Sequence, residues 1–211
     1  PLDELKSHLY TCPHLPNAIP YVTSYYHKKW GFCISHEEYE SLPEGDYEVV
    51  IKTSKYPGKI VIGEAFLEGT SDEEVLFSTY LCHPSMANNE LSGPLALVSL
   101  YQKLKDLPER KYTYRFVITS ESIGTLCYLS ERGFHLKEKL AAGYVITCCG
   151  DRGRFTYKMS GQRDSLADKA ALAVLRGFGE FNLEPFKPRG SDEKQYCSPG
   201  FNLPVGSLMR S

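Results

Sequence analysis

The spacing of apolar residues changes character near residue 70. Ahead of it, LDELKSHLY (2–10) sets Leu2, Leu5 and Leu9 on one side behind early acids, which predicts a short amphipathic helix. Residues 11–20, rich in Pro, Asn and His, read as a loop. Asp46–Lys52 (DYEVVIK) and Lys59–Leu67 (KIVIGEAFL) read as strands, and Tyr56-Pro57-Gly58 between them as the turn of a hairpin. Beyond residue 70 strands alternate with helices. Val75–Cys82, Tyr112–Thr119, Ala141–Cys149 and Leu203–Ser211 have the apolar, β-branched look of buried strands. Pro94–Leu107, Gly124–Gly133 and Asp164–Leu175 read as the helices between them. Such alternation predicts βαβ units. The expected fold is α/β: a mixed, largely parallel sheet flanked by helices (71–211), with a smaller, aromatic-rich antiparallel front part (1–70).

Composition narrows the picture without changing it. The 211 residues are 42% apolar and 24% charged with a formal net charge of −2, the profile of a soluble globular protein. No basic excess points to nucleic acid or to an anionic membrane surface, and no stretch approaches the roughly 20 apolar residues of a membrane span. Seven cysteines, an odd count without a CxxC, suit reduced thiols in the cytoplasm. Pro1 reads as an interior residue and the last strand stops abruptly, so a piece of a longer protein is expected. The front part concentrates Tyr21, Tyr25, Tyr26, Trp30 and Phe32, read as a packed aromatic cluster whose rings also suit a pocket mouth or lid. His14, His27 and His36 lack partners at ligand spacing and read as structural.

The candidate chemistry lies where the strands end. Parallel strands collect their carboxyl ends on one edge of a sheet, which is where open α/β folds bind ligands. Val75–Cys82 delivers His83, followed by a polar turn with Asn88, Asn89 and Glu90. Tyr112–Thr119 delivers Glu121 between Ser120 and Ser122, Ala141–Cys149 delivers Asp151, and Arg189-Gly-Ser-Asp192-Glu193 precedes the last strand. Any one acid after a strand is more simply a helix cap. Together a histidine and several carboxylates suit Zn²⁺, with a spare carboxylate as base for its water.

At these residues the chain resembles the zinc exopeptidases related to leucyl aminopeptidase and glutaminyl cyclase. It most resembles a group of bacterial aminopeptidase-like proteins with an inserted lid domain and a C-terminal winged helix. AIPYVTSYYHKKWGFC, LCHPSMANNELSGP and RGSDEKQYCSPGFNLPVGSLMRS carry that resemblance, over essentially the whole chain. It implies that His83 is a metal ligand, that Asn89 stands where the family has a bridging aspartate, with Glu90 beside it as a substitute, and that Asp151 is a further ligand. Glu121 takes the position of the general base and Ser122 that of a metal-binding glutamate. Asp192 borders the substrate pocket, Glu193 stands where a histidine is usual, and the final histidine ligand is expected beyond Ser211. One zinc ion is therefore expected rather than two, with a peptide or amino-bearing small molecule as substrate. Two other readings stand beside this hydrolase. The first is a catalytically degenerate protein that keeps the fold to bind a ligand, with a link to surface polysaccharide biosynthesis. A cysteine hydrolase built on Cys82, Cys127 or Cys197 is disfavoured, because Cys82 and His83 as strand neighbours should face opposite ways.

Overall fold

The computed structural model describes residues 1–24, 27–54, 56–188 and 190–210, so Tyr25, Tyr26, Arg189 and Ser211 of the expectations above lie outside the described residues. Two compact units result, residues 1–57 and 58–211.

In the first unit, helix α1 (Leu2–Lys6) is shorter than expected, because the chain leaves it for strand β1 (Leu9–Tyr10). β1 pairs in parallel with β2 (Phe32–Cys33), and helix α2 (His36–Ser41) follows behind a capping box in which Ser35 and Glu38 bond each other's backbone N–H. The expected antiparallel hairpin is not formed. No strand is present among the described residues of 46–52, where Val49, Val50 and Ile51 form a run rather than an alternation and stay exposed. Among the described rings of the aromatic cluster, Trp30 meets Phe32 edge-on with centroids 6.3 Å apart. Tyr21, Trp30 and Phe32 are each more than a third exposed, and Trp30 stacks on His8 with centroids 3.6 Å apart.

The second unit is built on a seven-stranded sheet. In chain order its elements are β3 (Gly63–Leu67), β4 (Glu74–Tyr80), α3 (Ala87–Lys105), β5 (Thr113–Thr119), α4 (Ile123–Lys139), β6 (Leu140–Ile146), β7 (Phe155–Lys158), α5 (Leu166–Leu175), β8 (Phe181–Glu184), α6 (Glu193–Tyr196) and β9 (Val205–Arg210). The strand order is β3-β5-β4-β6-β9-β7-β8. Pairing is mostly parallel, with β3 antiparallel to β5 and β7 antiparallel to β9. The segment expected as the second hairpin strand thus contributes β3, the edge of this sheet.

β4 is the strand about which the topology turns. The chain passes from β4 to β5 on one side, then crosses back to β6 on the other. The alternation along β4 sorts its side chains accordingly. Leu76 joins Val117, Tyr128, Leu129, Leu136 and Val145 beneath α4, while Phe77 packs with Leu97, Phe116 and Ile146 beneath α3. Full burial of a Leu or Val in such a core contributes about 1.5–3 kcal/mol. With helices on opposite faces, the crevice beyond the carboxyl end of β4 is a topological switch point, the place where such sheets bind ligands.

Two helices extend beyond the sequence reading. α3 starts at Ala87, seven residues ahead of Pro94, so Asn88, Asn89 and Glu90 form its first turn instead of a loop. Gly93 explains how this turn reaches the sheet edge. A Cβ there would strike the Thr79 hydroxyl and the Ile146 carbonyl, so glycine lets α3 lie directly on β4 and β6. α4 runs on through Gly133, which faces the Phe201 ring in the same way.

Candidate functional site

β4 ends at Tyr80, and Leu81 still donates to Thr119 of β5 (2.9 Å), so Cys82 and His83 leave the sheet already in a loop. That loop is held from beneath by Glu90, which is 2% exposed. One Glu90 carboxylate oxygen accepts from the Cys82 backbone N–H and the other contacts His83 Nδ1. Tyr80, whose hydroxyl accepts from Thr147 Oγ1 at 2.7 Å, sets its ring edge-on to the His83 imidazole. Leu81 to Ala87, Glu90 and Leu91 surround an open cavity of about 550 Å³ beside this loop.

The other imidazole nitrogen, Nε2, faces Glu121 Oε2 at 3.6 Å. Glu121 is fixed by a tight bend beyond β5. Ser122 has φ 60° and ψ −66°, and the Ile123 N–H reaches back to the Glu121 carbonyl at 2.7 Å. This is a γ-turn of the rare positive-φ kind, a strained backbone for a residue with a Cβ. Its strain is offset from two sides. Asp192 Oδ1 accepts from the Ser122 N–H (2.7 Å), and the Ser191 hydroxyl donates to Glu121 Oε1 (2.8 Å). Asp192 is wholly buried, and burial pushes its carboxyl up to about 6; the Ser122 N–H opposes this and the charges of Glu121 and Glu193 add to it.

The remaining candidates gather on the loop after β6. Asn88 Nδ2 donates to Asp151 Oδ2 (3.0 Å) while its Oδ1 accepts from the Gly150 N–H (2.7 Å), and Ser92 Oγ accepts from Cys149 (2.8 Å). The close seat that Gly93 gives α3 makes these bonds possible. Asp151 Oδ1 also accepts from Gly153 N–H (2.7 Å). Asn89 points its amide nitrogen at Cys148 Sγ (3.6 Å) and leaves Oδ1 buried without a hydrogen-bond partner.

The structure therefore brings His83, Glu90 and Glu121 together, with Asp192 joined to them through the Ser122 turn, and sets Asp151 against Asn88. It corrects one geometric expectation. Cys82 Sγ lies 3.3 Å from His83 Nδ1, because both residues stand beyond the strand, where the two-faced alternation no longer applies. The thiol is held toward its protonated form. Burial raises its pKa, and the nearby Glu90, Glu121 and Asp192 charges add to that against the Glu121 N–H. Sequence reasoning missed Tyr80 and Thr147, which read only as strand residues. The adjacency of Cys82 and His83 was the available signal for a sulfur in the site.

Two features bear on whether a cation fits. Cys82, His83 and Glu90 each offer a donor atom within 4.8 Å of the others. The orphaned Asn89 oxygen supplies another unsatisfied acceptor at the position that the resemblance gives to a ligand. Nitrogen, sulfur and oxygen donors of these kinds are the ones zinc accepts. For a second cation, Ser122 presents a hydroxyl where the resemblance implies a glutamate, and its backbone is bound to Asp192.

Residues 10–211 match a protein family described as "Domain of unknown function (DUF4910)". The chain belongs to the DUF4910 family. A Clostridium acetobutylicum protein named "Putative polysaccharide biosynthesis protein with aminopeptidase-like domain" is 45% identical over 211 residues, 100% of this chain and 48% of its own length. The DUF4910 chain thus spans about half the length of the curated relative it matches. A crystal structure of a "putative peptidase" from Clostridium acetobutylicum superposes with a TM-score of 0.94 at 44% identity, covering 100% of this chain and 50% of that one. The zinc aminopeptidase of Bacillus subtilis follows the same fold at 12% identity and TM-score 0.57, over 71% of this chain and 39% of that one. A glutaminyl cyclase from an Acidobacteriales bacterium does so at 15% identity and TM-score 0.55, over 71% and 58%. The mixed, mostly parallel sheet is thus an aminopeptidase-like fold. No helix among the described residues is long and apolar enough to cross a membrane.

Proposed function

We propose that this DUF4910 chain carries the centre of a metal-dependent, aminopeptidase-like hydrolase acting on a peptide or amino-bearing small substrate. The observation that supports it most directly is His83 Nε2 facing the Glu121 carboxylate across 3.6 Å at the switch point of the sheet. Glu90 is acceptor-only when ionised, so it engages a protonated Nδ1 and leaves the Nε2 lone pair toward a second carboxylate. Two electron-pair donors directed at one another suit a cation or proton between them. His83 would hold zinc, with Asp151 and Asn89 as the other ligands of the set that the resemblance implies and Cys82 as a thiol close by. Bound zinc supplies Lewis acidity, polarising a carbonyl and lowering the pKa of water.

The chain's own residues supply the rest. Glu121 takes a proton from the attacking water at a carboxylate oxygen and returns it to the leaving amine. The Ser191 hydroxyl holds its other oxygen, so the carboxylate keeps one orientation through both transfers. Asp192, which the resemblance sets beside the substrate pocket, is wholly buried and acts by anchoring the Ser122 backbone. The test is zinc content and aminoacyl-anilide cleavage by the full-length protein beside Glu121→Gln. Zinc with activity that falls 10²-fold or more in the variant is expected, in the range of lost general-base catalysis. Absence of metal after zinc loading, together with absence of cleavage, would overturn the proposal.

One observation favours a second reading. Asn89 is a neutral group where the resemblance implies a bridging carboxylate, which weakens any cation's hold. A ligand-binding protein that keeps the aminopeptidase-like fold would tolerate that change, and the name of the 45% identical relative points to polysaccharide biosynthesis.

A further inference from the structure

We infer that Glu90 is a positioning residue: from the first turn of α3 it fixes the ring orientation and tautomer of His83 and is not itself a metal ligand. The inference rests on the proposed role of His83 and adds to it a group acting through the imidazole.

The geometry assigns both carboxylate oxygens of Glu90. One is bound by the Cys82 N–H, the other by His83 Nδ1, and at 2% exposure the group has no water to turn toward. Each oxygen of this buried carboxylate is thus turned to one donor of the loop behind the ring. The backbone bond to Cys82 fixes the start of the loop, and the contact with His83 fixes the side chain at its end, so one carboxylate sets both the position and the rotation of the imidazole. With Nδ1 carrying the proton, Nε2 is left as the donor on the side of Glu121. Carboxylate–histidine pairs of this kind orient metal-binding imidazoles and raise their basicity. The arrangement also accounts for a glutamate in the first turn of a helix without a capping side chain: Met86 at the N-cap makes no such bond, and the Glu90 carboxylate is turned to the β4 loop instead.

The deciding experiment is the protonation state of His83, read by ¹⁵N NMR on the full-length, metal-free protein labelled in its histidines and assigned with His83→Ala. Expected in the wild type is a protonated Nδ1 whose proton exchanges slowly with solvent. Expected in Glu90→Gln, whose amide offers one acceptor for two donors, is loss of that protected proton. A wild-type ring protonated only at Nε2, or an Nδ1 proton exchanging as fast as in Glu90→Gln, would overturn the inference even if zinc binds and Glu121 acts as proposed. As a second readout, zinc affinity by chelator competition should fall 10–100-fold in Glu90→Gln, the usual effect of losing such a partner. Affinity equal to wild type would equally overturn it, and affinity lost as completely as in His83→Ala would make Glu90 a ligand instead. Should Glu90→Gln fail to fold, the wild-type ring state alone still decides.

Discussion

Asp192 gives the site a stability signature that can be worked out in advance. Its carboxyl has an ordinary value of 3.8 and is pushed up to about 6 by complete burial, with the Glu121 and Glu193 charges adding to the shift. In the unfolded chain the group loses its proton near the ordinary value, while the folded chain keeps it for about two further units. Between the two values the native state binds the extra proton, so this residue's contribution falls as pH rises and reaches its full cost above about 6. At 1.36 kcal/mol per unit, two units amount to about 3 kcal/mol. Asp192→Asn removes the titration while keeping an oxygen for the Ser122 N–H. Urea unfolding of metal-free wild type and variant should be followed from pH 4 to pH 8. The variant is expected to gain about 3 kcal/mol relative to wild type between pH 4 and pH 7. Carboxylates held low by their partners, such as Glu74 and Asp168, contribute equally to both proteins and cancel in the difference. Parallel pH profiles would refute the reasoning.

Two further outcomes follow from groups around the sheet. Arg115, 4% exposed, bonds Glu74 through two nitrogens (2.6 and 2.9 Å) and also Glu64, so Arg115→Met leaves Glu74 to His135 and Glu64 to the Tyr128 hydroxyl; a loss of about 3 kcal/mol at pH 7, smaller at pH 4 where Glu74 without the guanidinium can be neutralised, is expected by urea titration. Ser122→Gly relieves the positive-φ turn, and because the serine hydroxyl makes no capping bond the thermal midpoint should rise by the equivalent of about 1 kcal/mol; Ser122→Ala, which keeps the strain, should show no such gain.

What the sequence discloses follows from how local each signal is. The apolar runs of β4, β5 and β6 are buried on both faces, so their composition marks them whatever their partners. The four-residue β7 and β8 mix polar and apolar positions and exist through pairing with one another and with β9, which no local pattern records. Pro94 misleads because proline favours a helix's first turn, whereas α3 begins without a capping side chain and carries its proline inside. That error placed Glu90 in a solvated turn, and so concealed its burial under His83. His83, Glu121 and Asp192 were legible as strand-end or pre-helix polar residues. Asn88 bonded to Asp151 was not, since it depends on how closely Gly93 lets α3 approach the sheet.

The strand order also has a consequence for how the protein is made. β9, the last strand in the sequence, lies inside the sheet between β6 and β7, and β7 and β8 join the rest through it. While residues 205–210 are still within the ribosome, β6 and β7 each present an unpaired ladder of backbone groups. Exposed edges of that kind are templates for pairing with other chains, and nascent chains of this size are prone to such encounters. The exit of these six residues therefore joins β7 and β8 to the strands made before them, and a chain stalled just before Val205 carries both ladders open.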